Sequence, residues 1–146
     1  MSHNIAIKTA IKDGKCLVRA LERLGFKGQV EVHEFPQHLY GYQGDMRKEK
    51  AHVIVRRKHV GSSSNDIGFE NVGGFYTAYI SEFDEGTGTY SGRHDTARCN
   101  KVWQNKLLVH YGVEVAKLEC EKKKIRYEEY VDPQDDQQRI QLKTWL

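Results

Sequence analysis

The chain opens on an alternation: Ile5, Ile7, Thr9 and Ile11 against Ala6, Lys8, Ala10 and Lys12. A period of two with β-branched residues predicts a strand with one buried face. The period then lengthens. Leu17, Ala20, Leu21 and Leu24 recur at helical spacing and form one apolar stripe. Asp13 is placed to cap that helix. Gly25 stands where a left-handed C-terminal cap belongs, and Phe26 can fold back onto the stripe.

Further on, Val30 to Phe35 reads as a second strand, with Pro36 ending it or marking a sheet edge. Tyr40 to Gly44 is a short extended piece or turn. His52 to Arg57 is a third strand, and Val53, Ile54 and Val55 in a row predict cover on both faces. Val60 to Asn65 reads as a loop. Phe75 to Phe83 alternates as a long strand, and Asp84 to Gly92 is a glycine-rich loop.

A long helix is predicted from about Thr96 to Lys123. Its stripe is Trp103, Leu107, Tyr111, Val115 and Leu118, with Cys99 and Leu108 beside it. Ile125 to Val131 and Arg139 to Trp145 follow as strands around a turn at Asp132 to Asp136. The order is strand, helix, strand, strand, and then the same again. This favours an α+β domain spanning 1–146, with one antiparallel or mixed sheet of about six to seven strands and two helices on one face. Two βαββ units are compatible with the order, although no residue-level repeat supports a duplication.

Composition narrows the class. A chain of 146 residues, 38% hydrophobic and 29% charged, can sustain its own core without metal or disulfide help. The net charge of +3 falls well short of a dedicated duplex-DNA binder. Cys16, Cys99 and Cys120 are odd in number and far apart, which indicates reduced thiols rather than a zinc site or disulfide framework. No stretch approaches a membrane span, and the first residues lack signal-peptide character. The expectation is a soluble, cytoplasmic protein, or a stromal one if organellar.

Two glycine motifs flank the basic third strand: Gly41-Tyr42-Gln43-Gly44 before it and Asp66-Ile67-Gly68-Phe69 after it. Such glycines mark sharp turns or close backbone approach. They place Tyr42, Gln43, Arg56, Arg57 and Asp66 near one another, as a candidate site for an anion or carboxylate suited to arginine forks. The structural alternative is a glycine hairpin whose arginines pair with Asp66 or Glu70. A second candidate is an anion site at the long helix's start, with Gly86 and Gly88 ahead of Arg93 and Arg98. Gly92-Arg93-His94 departs from the Walker ending, so a surface loop competes with that reading.

The seven histidines show no metal spacing, no cofactor is indicated, and no catalytic constellation emerges. His110 is placed to face Glu114 one helical turn on. Tyr40, Tyr42, Tyr76, Tyr79, Tyr127 and Tyr130 lie on predicted strands or their ends. Aromatics beside arginines can stack single-stranded bases, or they can fill a core edge and a protein interface.

Several landmarks are shared with a known family. They are Met1-Ser2-His3, Ile7-Lys8-Thr9, Leu24-Gly25-Phe26, Gly41-Tyr42-Gln43-Gly44, Val53-Ile54-Val55-Arg56, Asp66-Ile67-Gly68-Phe69, Lys106-Leu107 and Tyr111. In these the chain resembles a family of small proteins of cyanobacteria, other bacteria and algal plastids, including a hypothetical chloroplast reading frame. It departs from that pattern around Thr77 to Gly92, where the family carries tryptophans and this chain has none. The resemblance implies a small protein that assists assembly of something larger, and it transfers no catalytic residue. The function expected is therefore binding rather than catalysis, with another protein as partner. The rivals are a single-stranded nucleic-acid binder and a small phosphate- or nucleotide-binding enzyme.

Overall fold

The structure is a computed structural model and describes residues 3–61, 64–82, 101–131, 134 and 138–143. The described residues form an α+β architecture of seven strands in two antiparallel sheets. The larger sheet holds β1 (Asn4–Lys8), β2 (Val30–Tyr40), β3 (Met46–Val55), β4 (Ile67–Val72) and β5 (Phe75–Ser81), in the order β1-β5-β4-β3-β2. The smaller is the hairpin of β6 (Arg126–Val131) and β7 (Gln138–Lys143). The expected single sheet is thus two. β4 was not foreseen, because Gly68, Asn71 and Gly73 give it the composition of a turn. With β4 present, four strands lie between α1 and the long helix Lys101–Lys123, so the chain is not two βαββ units.

Helix α1 (Gly14–Leu21) starts as its sequence predicts, with Asp13 Oδ1 accepting from the Cys16 N–H at 3.0 Å. It runs into a π-type turn, Glu22–Phe26, in which Gly25 takes φ +105° and Phe26 returns to the core. Helix α2 is a single turn, Arg57–Val60, between the expected third strand and the expected loop, and it takes Arg57 out of the strand and Val60 out of the loop. Helix α3 (Lys101–Lys123) packs with α1 on one face of the larger sheet. Leu17, Leu21, Phe26, Trp103 and Leu107 meet Val53, Val55, Phe69 and Ile80 there. The buried side of α3 runs from Trp103 and Leu107 to Val113, Glu114 and Cys120, a rotation away from the expected Val115 and Leu118. Leu108 is exposed. Among the described residues no helix is long and apolar enough to cross a membrane.

Strand β2 does not end at Pro36. It is the edge strand, and its pairing with β3 shifts register between Val32 and Gln37, where Pro36 is tolerated because no ladder bond is needed. Beyond that irregularity the β2–β3 hairpin folds over the second face of the sheet. Leu39 and Ala51 bury there against Ile54 and Tyr79, and Asn4 Nδ2 donates to Glu49 Oε1 at 3.1 Å across the sheet.

The small hairpin is held to the helices by charge. Glu129 on β6 accepts from Arg23 and is 3.4 Å from Lys117 Nζ. Lys117 also lies 3.4 Å from Glu114, which is buried at 5% exposure. His110 does not pair with Glu114: its Nδ1 accepts from Arg23 Nε at 3.1 Å.

Candidate functional site

Four of the five residues singled out between the glycine motifs come together around Asp66, which is 1% exposed at the entry to β4. Its Oδ2 accepts from the Tyr40 N–H at 2.7 Å and from Arg56 Nη1 at 3.0 Å. Its Oδ1 accepts from the Arg57 N–H at 2.7 Å. A carboxylate this deep is tolerable only when its lone pairs are filled by charged or backbone donors. The Arg56 side chain therefore turns towards the protein.

Arg56 Nε donates to Glu31 Oε2 at 2.9 Å, Nη1 also donates to His38 O at 3.1 Å, and the guanidinium lies 5.8 Å over the Tyr40 ring. The bond from Arg56 holds the Glu31 carboxyl below the usual range. Arg57 Nη2 donates to Tyr42 O at 2.5 Å and Nε to Ser64 O at 3.2 Å. The Tyr42 N–H donates to Asn65 Oδ1 at 2.9 Å. Gln43 is exposed at the hairpin turn, where Gly44 takes φ +80°. Glu70 is not an arginine partner, because it accepts from the Tyr79 hydroxyl at 2.7 Å. The cluster ties the β2–β3 hairpin to the start of β4. A ligand there has to displace bonds the fold already uses.

The alternative anion site, Gly86, Gly88, Arg93 and Arg98, lies outside the described residues, as do Cys99 and the expected first turn of the long helix. Cys16 is buried, and desolvation raises its thiol pKa, which disfavours a reactive thiolate. Among the described residues no three His, Cys, Asp or Glu side chains converge as a metal site.

A different surface is open. A groove of about 690 Å³ lies between α1 and the β2, β3 and β4 side of the sheet. Val18, Val32 and Val53 form its apolar floor, and Val32 on the edge strand is 65% exposed. Lys15 and Arg19 reach it from α1, one helical turn apart. His52, Asn71 and Tyr76 face it from the sheet, and Glu22 and Glu34 stand at its margin. Phe35, next along the strand, is 71% exposed. Lys15 and Arg19 are visible in the sequence only as the polar face of an amphipathic helix. The groove depends on β4, which turn-like composition conceals, and on β2 lying at the edge. Compared with family models, curated proteins and solved structures, the chain finds no match.

Proposed function

We propose that the chain is a protein-binding domain, acting as an assembly factor rather than an enzyme, and that it binds along the open side of β2. The observation that carries this reading is the edge strand itself. Among the described residues β2 pairs with β3 alone, and it presents Val32 and Phe35 at 65% and 71% exposure, Val32 beside a groove with an apolar floor. An unpaired strand edge is a template for an added strand, with backbone bonds supplying affinity and alternate side chains supplying specificity. Exposed apolar side chains at such an edge invite aggregation unless a partner covers them. The resemblance to the cyanobacterial and plastid family implies an assembly role and agrees with this reading.

The nucleic-acid alternative rests on Tyr42, Arg56 and Arg57. The bonds these residues make to Asp66, Glu31, Ser64 and Asn65 leave that alternative less support.

The test is affinity capture from native lysate by the wild-type chain and by Val32→Asp and Phe35→Asp, each with and without nuclease and at two salt concentrations. Capture of one protein that survives nuclease and moderate salt, and is lost in both variants, is the expected result. Capture that disappears with nuclease or falls steeply with salt favours nucleic acid instead. Capture unchanged in both variants removes the edge strand from the account.

A further inference from the structure

We infer that the groove between α1 and the sheet recognises a carboxylate, so that the strand added at β2 carries an acidic residue seated on Tyr76, His52, Lys15 and Arg19. The inference rests on the edge-strand reading above and names the chemistry of its partner.

The groove is lined by donors whose orientation the fold itself decides. Tyr76 is only 9% exposed, yet among the described residues its hydroxyl has no hydrogen-bond partner, and it lies at the groove against the start of α1. Position 14 is glycine, and a Cβ there would collide with the Tyr76 hydroxyl. Glycine at position 14 lets the phenol oxygen lie against the helix backbone at the groove. His52 Nδ1 accepts from the Asn71 N–H at 3.1 Å, so the ring proton sits on Nε2, a donor. Asn71 Oδ1 accepts from the Gly74 N–H at 3.0 Å, which leaves the Asn71 amide as a donor too. Lys15 and Arg19 make no ion pair among the described residues.

The start of α1 is capped by Asp13, so side chains rather than helix amides make this site. The Tyr76 hydroxyl opens on the groove, and a carboxylate seated there would accept from it along with the neighbouring donors. Side chains of an added strand alternate, so every second one falls on the helix side beside Val32. Glu22 and Glu34 balance the charges of Lys15 and Arg19, so the groove has no excess of positive charge to draw in a run of phosphates. Recognition there rests on directed donors, Tyr76, His52 and Asn71 beside Lys15 and Arg19, which suit a single acidic side chain better than a phosphate run.

The probe is a displayed library of random twelve-residue peptides selected on the full chain. Binders are then measured as synthetic peptides against wild type, Tyr76→Phe, and the double variant Lys15→Ala with Arg19→Ala. The expected peptides carry one Asp or Glu among β-branched residues and lose binding to Val32→Asp. Changing that acid to its amide weakens binding to wild type about tenfold, as loss of a charge-assisted bond implies. The same change leaves affinity for Tyr76→Phe and for the double variant nearly unaltered, a coupling that a merely structural role does not produce.

Peptides that depend on Val32 but show no acid preference overturn the carboxylate site and leave the edge-strand reading standing. Displacement of the peptides by polyphosphate or an oligonucleotide overturns it in favour of phosphate. Failure to select any Val32-dependent peptide removes it together with the reading on which it rests.

Discussion

Leu39 occupies the space that Gly68 leaves empty: a Cβ at position 68 would stand 2.7 Å from Leu39 Cδ2 and 2.8 Å from the Ala51 Cβ. The contact joins the folded-over hairpin to the centre of the larger sheet. Gly68 is therefore a packing residue, and its absent side chain lets a second layer lie on β4. Gly68→Ala should destabilise the chain by roughly 1–3 kcal/mol, as overpacking does in well-packed interiors. Urea unfolding reads this directly. An unchanged midpoint would mean that the hairpin lifts away at no cost.

Asp66 fixes the same hairpin from its other end. Removing the carboxylate leaves the Tyr40 and Arg57 amides and Arg56 without their shared acceptor. Asp66→Ala should cost about 3–5 kcal/mol, the range for breaking a buried charge pair. Arg56→Ala and Glu31→Ala should each cost less, because both side chains are partly exposed. Equal losses for Asp66→Ala and Glu31→Ala in denaturant would show that Asp66 is not the hub.

Acid should loosen the β6–β7 hairpin before the rest of the fold. Burial lowers the His110 pKa from its ordinary 6.5, with Arg23 and Lys106 adding repulsion and Glu129 and Glu114 opposing it. Between that value and the lowered one, the unfolded chain binds more protons than the folded chain. Stability is therefore complete above about pH 6.5 and declines as pH falls. The bonds from Arg23 and Arg56 lower the pKa of Glu129 and Glu31 below their ordinary 4.5. Their contribution is present above that value and is lost only as pH falls through the lowered values. His110→Gln should flatten the first decline and leave the second. Thermal melts across pH 7 to 4 check it, and identical profiles for variant and wild type would refute it.

Tyr79 should titrate late. Burial, then the hydrogen bond to Glu70, pushes its phenol up to about 12. Because the folded state favours the neutral phenol, this contribution holds below the ordinary value of 10 and disappears as pH rises towards 12. The difference in phenolate absorbance between wild type and Tyr79→Phe should rise near pH 12. A rise near pH 10 would show that Tyr79 is solvated.

Short-range signals carried much of the fold. The α1 stripe, its Asp13 cap, Gly25 and the returning Phe26 all lie within fourteen residues, and the structure repeats them. Alternation placed β1, β5 and β6, and the apolar run Val53–Val55 is buried as its lack of alternation implies. β3 begins six residues before the expected start at His52, because the charged stretch Met46 to Lys50 is held as a strand by pairing with β2. β4 was hidden because a strand squeezed between two layers needs glycine where a strand pattern expects a side chain.

The sequence by itself determined the class of the fold, the amphipathic α1, the presence of the long helix and the residues that meet near Asp66, since periodicity and turn chemistry act over a few positions. Tertiary structure alone decided the rest. It turned Arg56 inwards onto a buried carboxylate ten residues away, and Arg57 onto the Ser64 and Tyr42 carbonyls. It split the sheet in two and set Val32 at an open edge. It brought Lys15, His52 and Tyr76 to one groove. Which polar groups are satisfied within the chain and which remain for a partner depends on contacts across the whole molecule, and local pattern carries no record of them.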